Sequence, residues 1–199
     1  GAYMNVVVVF AHPSADSFGQ AICSTAVNAL ESSGHNVSLL ALYQSHFSAA
    51  MSREEWLAYH GETPALDPDV ASHGALVRNA DALIFIYPTW WSGLPSMMKG
   101  WLDRVLVAGV AFHFNKKDKV RPSLKQVRHL VGISTYGSPR TYIAFMNDNG
   151  RRIIMRALRV CTGWRTKRTW LGMYNMGNST SEQRDAFLQR VHKTLRELS

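Results

Sequence analysis

Cysteine is nearly absent from this chain of 199 residues, with only Cys23 and Cys161 present. Both fall in apolar helical patterns, which excludes a disulfide framework or a paired-cysteine zinc site and suits buried thiols in a reducing compartment. No other metal-ligand spacing stands out, and no metal is expected. Acidic residues are also scarce, 14 against 22 lysines and arginines, giving a formal net charge of +8. That sign favours phosphate-rich partners. The excess concentrates in "NKKDKVRPSLKQVRH" and "RRIIMRALRVCTGWRTKR". No zinc-finger spacing, aromatic ribonucleoprotein motif or helix-turn-helix accompanies it, so a nucleic-acid partner is not expected. The charge reads instead as solvated surface that attracts an anionic substrate or coenzyme. Also missing is any apolar run near the roughly 18 residues that cross a bilayer, as is an opening basic region followed by an apolar one and a cleavage site. The expectation is a cytoplasmic protein that is not integral to a membrane. Neither GxGxxG nor GxxxxGK followed by Ser or Thr occurs, which sets aside the usual dinucleotide fingerprint and the P-loop.

What is present is an alternation of strands and helices at a length, residues 1–199, that suits one domain, with 46% hydrophobic residues. The runs "NVVVVFA" (Asn5 to Ala11), "NVSLLAL" (Asn36 to Leu42), "ALIFIY" (Ala82 to Tyr87) and "HLVGIST" (His129 to Thr135) are short and almost continuously apolar. Such runs imply strands buried on both faces of a parallel sheet. "RTWLGMYNM" (Arg168 to Met176) is a weaker fifth strand. Between them, Phe18, Ile22, Ala26 and Leu30 mark a helix that Gly34 ends with a left-handed cap. A second helix starts with Pro95 in its first turn and carries Met98, Trp101, Leu102 and Val105 on one stripe. A third spans Tyr142 to Cys161 with an interruption at Asn149-Gly150. A last helix opens with a capping box of Ser179 and Glu182 and buries Phe187, Val191, Leu195 and Leu198. The predicted architecture is α/β, a doubly wound five-stranded parallel sheet with right-handed crossovers. The connection from Tyr43 to Asp69 is too long for an ordinary loop. With a short helix at "SREEWLAYH" and breakers in "GETPALDPD", it reads as a lid or an interface element.

In an open parallel sheet, ligands bind beyond the carboxyl ends of the strands. Three loops therefore carry the functional question. The first, in "FAHPSADSFGQAI", leads into a helix N-terminus, where unpaired N–H groups favour an anion. Ser17 offers a hydroxyl, His12 an imidazole, and Asp16 is the expected helix cap. A capped turn with a satisfied histidine accounts for this loop equally well on its own. The second, "YPTWWSGLP", puts Trp90 and Trp91 on a turn with Pro88 and Thr89 beside them, a wall for a flat aromatic ligand or a piece of a dimer interface. The third, "STYGSPR", offers the hydroxyls of Ser134 and Thr135, a close backbone approach at Gly137 and a ring at Tyr136; a turn without a ligand explains Gly137 and Pro139 as well.

Three segments, "AHPSADSF", "YPTWWSGLPSMMKGWLDRVLVAGVAF" and "ISTYGSPRTY", resemble the flavodoxin-like NAD(P)H:quinone oxidoreductases, the group of DT-diaphorase and of the flavoprotein ancillary subunits of potassium-efflux systems. The resemblance covers nearly the whole chain. It implies a flavodoxin-like fold and a non-covalent flavin, FMN or FAD, reduced by NADPH or NADH in a ping-pong cycle that delivers electrons to quinones or similar flat acceptors. By position His12, Asp16, Ser17 and Phe18 fall in the family's phosphate loop. Pro88, Thr89, Trp90 and Trp91 fall in the loop against the isoalloxazine ring. Ser134, Thr135 and Gly137 match a Thr-Thr-Gly-Gly turn in which Tyr136 replaces the first glycine, so its side chain is expected to crowd or stack on the flavin. Tyr142 stands where the family has an active-site tyrosine and is the implied proton donor or relay, but Asp148 replaces its partner histidine. A homodimer is also implied, with Trp91, the 43–69 connection and Phe112 to Phe114 as interface pieces. Two other readings are an electron-carrier flavodoxin and a regulatory subunit of a membrane transporter.

Overall fold

The computed structural model describes residues 2–61, 64 and 67–199. Its strands are β1 (Asn5–Phe10), β2 (Asn36–Ala41), β3 (Ala82–Pro88), the short β4 (Phe112–Phe114) and β5 (Val120–Pro122), β6 (His129–Thr135) and β7 (Lys167–Met173). Five of them form one sheet in the order β2-β1-β3-β6-β7, and every pair in it is parallel. β4 and β5 make a separate antiparallel hairpin. The expected doubly wound sheet is thus present, with all of its carboxyl ends on one edge.

The helices are α1 (Phe18–Ser32), α2 (Arg53–Ala58), α3 (Pro68–Arg78), α4 (Ser96–Val105), α5 (Arg140–Phe145), α6 (Asn149–Arg152) and α7 (Ser181–Arg196). Side chains alternate across a strand, so β1 sends Val6, Val8 and Phe10 to one face and Val7 and Val9 to the other. The first set packs with Ile22, Ala26 and Leu30 of α1 and Phe187, Val191 and Leu195 of α7. The second packs with Val77 of α3, Met98 and Trp101 of α4 and Ile154. Each such buried side chain contributes about 1.5–3 kcal/mol. Trp101 is fully buried, and its Nε1 donates to His73 Nδ1 at 3.1 Å.

Several element ends differ from the sequence expectation by one residue. α1 is capped by Ser17, whose Oγ accepts from the Gln20 N–H, and not by Asp16. α7 is capped by Thr180 in a reciprocal box with Gln183, in place of Ser179 and Glu182. Pro95 occupies the cap position of α4 and Ser96 its first turn. The third helix breaks before Asn149 and not at it: Asn147 and Asp148 are left-handed, at φ 75° and 43°. It then continues from α6 through a wide turn, Ile153–Ala157, and a tight one, Leu158–Cys161. Gly34 has the expected left-handed φ of 85°. Both thiols are free, and burial pushes that of Cys23 up to about 12.

The 43–69 connection is tied to the body by a buried ion pair. Glu55 of α2 takes Arg104 of α4 through two close contacts, Nη2–Oε1 at 2.7 Å and Nε–Oε1 at 3.0 Å. Arg104 Nη1 also donates to the Ser48 carbonyl at 2.6 Å, and its guanidinium lies over the Phe47 ring at 5.2 Å. A little further along, Gly100 faces the backbone of Ala49 so closely that no side chain fits between them. Glu62, Thr63, Ala65 and Leu66 of the expected breaker stretch lie outside the described residues.

Burial raises the Glu55 carboxyl, but hydrogen bonds from Arg104 and Ser52 and the Arg104 charge outweigh it and hold the group below its ordinary range. Its stabilising contribution is complete at neutral pH and disappears as pH falls through that depressed value. Glu55→Gln leaves the buried guanidinium with only the longer Asp67 contact at 3.4 Å and should cost about 3 kcal/mol. Urea unfolding at neutral pH checks the loss, and the gap to the unmodified protein should narrow on acidification.

Candidate functional site

The first loop leaves β1 at Ala11, whose N–H donates across to the Ile86 carbonyl of β3 at 3.1 Å. His12 Nδ1 accepts from the Ser14 N–H at 3.0 Å, so the ring proton belongs on Nε2. Desolvation lowers the imidazole pKa, against an opposing hydrogen bond at Ser14, and the ring is neutral at physiological pH. A side chain at Gly19 would stand 3.2 Å from His12 Cδ2, so glycine is what lets the ring lie against the first turn of α1. Ser17 spends its hydroxyl inside the loop: it donates to the Ser14 carbonyl at 2.8 Å and accepts from Gln20 at 3.0 Å. Asp16 is exposed. The first-turn N–H groups of Phe18 and Gly19, with His12 Nε2–H, are the donors left for an anion, and no acid stands in that turn.

The second loop is built under backbone strain. Trp91 and Ser92 both have positive φ, 50° and 56°, in a two-residue turn closed by Trp90 N–H to the Gly93 carbonyl at 3.2 Å and Gly93 N–H to the Trp90 carbonyl at 2.9 Å. Asn-Gly is the usual occupant of such a turn, and side chains in this region cost roughly 1–2 kcal/mol per residue. The neighbouring Met146–Gly150 segment holds it in place. The Ser92 carbonyl accepts from the N–H groups of Asn149 and Gly150 at 2.9 and 3.2 Å, and Ser92 Oγ donates to the Met146 carbonyl at 3.2 Å. A Cβ on Gly150 would meet Gly93 C and Tyr87 Oη at 3.1 Å. Two strained loops, each with two left-handed non-glycine residues, are therefore joined through Ser92 and the Met146–Gly150 backbone, a pattern found where a site is held in shape.

In the third loop, Ser134 is buried and donates to the Tyr87 carbonyl at 2.8 Å while standing 2.7 Å from Thr89 Oγ1. Thr89 N–H donates to the Thr135 carbonyl at 2.8 Å. These hydroxyls stitch the second loop to the third and are not free for a ligand. Tyr136, expected to crowd or stack on a flavin, is only 1% exposed, stacks on Tyr174 at 4.6 Å, and donates its phenol to Asp148 Oδ1 at 2.8 Å. Burial and the Asp148 contact raise its pKa far out of reach. Gly137 is exposed with open space where a side chain would stand. Tyr142 is exposed in the first turn of α5.

The first two loops enclose a cleft of about 290 Å³ lined by Ala11, Pro13, Tyr43, Pro88, Trp90, Pro95 and Ser96. Trp90 is its one large aromatic wall besides Tyr43. Trp91, at 99% exposure, stands outside it in solvent, and Tyr142 and Gly137 are not among the lining residues. Tyr43 and Pro13 were not singled out in the sequence. Tyr43 follows β2 on the same edge as the other loops, so inspecting the end of every strand would have found it.

A parallel sheet whose crossovers reverse between β1 and β3, with its cleft at that reversal, defines a doubly wound α/β architecture of the kind that takes ligands at this edge. The chain belongs to the family described as having a flavodoxin-like fold, whose model it matches over residues 4–196. It is similar to the NAD(P)H dehydrogenase (quinone) 1 of Rattus norvegicus, 32% identical over 158 residues that cover 71% of this chain and 57% of the rat protein. An uncharacterized NAD(P)H oxidoreductase of Haemophilus influenzae is 34% identical over 118 residues, covering 59% of this chain and 57% of the other. The NAD(P)H:quinone oxidoreductase from Methanothermobacter marburgensis has a similar structure, with a TM-score of 0.79 at 27% identity over 100% of this chain and 97% of that one. The chain spans about half the length of the curated relatives it matches. No helix among the described residues is long and apolar enough to cross a membrane, and no group of metal-ligating side chains occurs among them.

The hydrogen bond at His12 makes a spectroscopic prediction. Nitrogen-15 spectra at neutral pH should show His12 as the neutral Nε2–H tautomer, titrating below the ordinary histidine range. A proton on Nδ1 would contradict the loop geometry.

Proposed function

We propose that this chain is an NAD(P)H-dependent flavin oxidoreductase that binds FMN or FAD non-covalently and reduces quinones or similar flat acceptors. The observation that carries the reading is the cleft shared by the first two loops beside the open first turn of α1. A phosphate-tailed planar ring fits those groups. The N–H groups of Phe18 and Gly19 and the Nε2–H of His12 would receive the phosphate. Pro88 and Trp90 supply a flat wall, and Thr135 and the open backbone at Gly137, which lie outside the cleft lining, would meet the polar edge of a ring that extends past it. The similarity to NAD(P)H oxidoreductases of known name supports the redox assignment.

The flavin, when bound, supplies hydride acceptance from a nicotinamide and electron delivery to the second substrate. The protein positions that ring and stabilises negative charge on it with preorganised backbone donors. Ser17, Thr89 and Ser134 serve by fixing the three loops, and Tyr136 by anchoring Asp148. Tyr142 remains the proposed proton donor or relay, its exposed phenol in the first turn of α5 being free to approach an acceptor. Asp148, bonded to Tyr136, does not take the role of its partner. A second copy of the chain is proposed to complete the site, supported by the exposed rings of Trp91, Trp56 and Phe114.

Anaerobic addition of NADPH or NADH to the flavin-loaded protein tests the reading. The visible spectrum should bleach rapidly and recover on addition of a quinone; a bound flavin that both coenzymes leave oxidised would refute the assignment. Trp90→Ala should weaken flavin retention roughly fivefold through loss of about 1 kcal/mol of ring packing, with the sheet intact by circular dichroism.

A further inference from the structure

On the other side of the Met146–Gly150 segment lies a second hollow, about 440 Å³, lined by Asp148, Arg151, Arg152, Arg156, Arg168 and Trp170 among others. We infer that this hollow is a binding site for a small molecule carrying a diphosphate, distinct from the cleft between the first two loops.

Four guanidinium groups border one concavity, and none of them forms an ion pair among the described residues. Asp148 is the single acid in the lining, and one of its oxygens already accepts from Tyr136. Gathering like charges around a concave surface costs free energy unless an anion relieves it. Two of the arginines are fixed by the fold: Arg152 Nε donates to the Asn147 carbonyl at 2.6 Å and Arg168 Nη1 to the Met155 carbonyl at 2.9 Å. The other two, Arg151 and Arg156, have no hydrogen-bond partner among the described residues, and Arg151 lies over the Trp170 ring at 5.8 Å. The indole Nε1 of Trp170 is buried without a partner among the described residues. Planar guanidinium forks match phosphate oxygens in pairs. One phosphate would leave most of four forks unused, whereas a diphosphate presents enough oxygens for them, with the unpartnered Trp170 Nε1–H as one further donor.

The hollow also adjoins the redox cleft through shared structure. Arg152 holds Asn147, two residues before Asn149, whose N–H together with that of Gly150 braces the tryptophan turn. Two sources present the required chemistry, the phosphates of a nicotinamide dinucleotide and those of a separate nucleotide.

Calorimetric titration of the purified protein with inorganic pyrophosphate tests the site without relying on the redox reading. Saturable binding is expected, weakened at least tenfold in Arg151→Gln/Arg156→Gln. Lys116→Gln/Lys117→Gln, which removes the same charge elsewhere, should leave it unchanged. Absence of saturable binding, or equal weakening in both double variants, would overturn the inference. Steady-state kinetics then assign the source. A KM for NADPH raised at least fivefold in the arginine variant at unchanged kcat identifies the coenzyme. An unchanged KM alongside lost pyrophosphate binding identifies a separate nucleotide.

Discussion

The ligand edge depends on the two-sided pairing of β3. With β1 on one flank and β6 on the other, its register sets Phe10 beside Ile86, Tyr87 beside Ser134 and Pro88 beside Thr135. The three chemistry-bearing loops therefore leave the sheet at one level. That alignment is what allows Thr89 to bond to Ser134 and to the Thr135 carbonyl, and what brings Ala11 and Pro13 against Pro88 and Trp90. A register slip of one residue would turn the alternating apolar side chains of β3 to the wrong face, so the geometry of the cleft is inherited from the core.

At this edge the hydroxyls of Ser17, Thr89, Ser92 and Ser134 are consumed by the scaffold. Ser17 caps α1, Ser134 and Thr89 join two loops, and Ser92 ties the tryptophan turn to Met146. A hydroxyl has one proton to give, so in the proposed reading recognition falls mainly to groups that cannot move: first-turn amides, the Nε2–H of a neutral imidazole and the face of Trp90. The strain of Trp91, Ser92, Asn147 and Asp148 is borne by the same network. Rigid donors of this kind need no rearrangement when charge develops on a ligand, which is the advantage of building a site from backbone.

The sheet was legible in the sequence because strands buried on both faces leave continuous apolar runs, and the order of elements follows once the crossovers are right-handed. The misplaced caps show the limit of that legibility. Asp16 and Ser17, or Ser179 and Thr180, are both good capping residues by type; the choice lies in where the preceding backbone turns, which residue type does not encode. Asp67-Pro68 was read as a breaker but starts α3, since a capping Asp followed by a first-turn Pro serves either purpose. Tyr136 turned inward because its N–H pairs with the Met173 carbonyl at 2.8 Å, which carries the ring onto Tyr174. The Glu55–Arg104 pair joins residues on separate helices that share no local pattern, so nothing short of the fold could reveal it.

Charge is distributed unevenly between attraction and recognition. None of Ala11, Pro13, Tyr43, Pro88, Trp90, Pro95 and Ser96 is an acidic or basic residue, so on the proposed reading the cleft would discriminate by shape, ring contact and fixed dipoles. The formal excess of +8 lies elsewhere, much of it on the residues 151–168 that surround the arginine hollow. Long-range attraction of an anion falls with ionic strength over about 10 Å at 0.1 M salt, whereas apolar contacts in a cleft lined by neutral residues are not screened in this way. On the proposed readings, capture of an anion and retention of a ring are governed by different forces at the arginine hollow and at the neutral cleft. The Met146–Gly150 segment couples the two, because the backbone that Arg152 grips continues into the residues that hold the tryptophan turn.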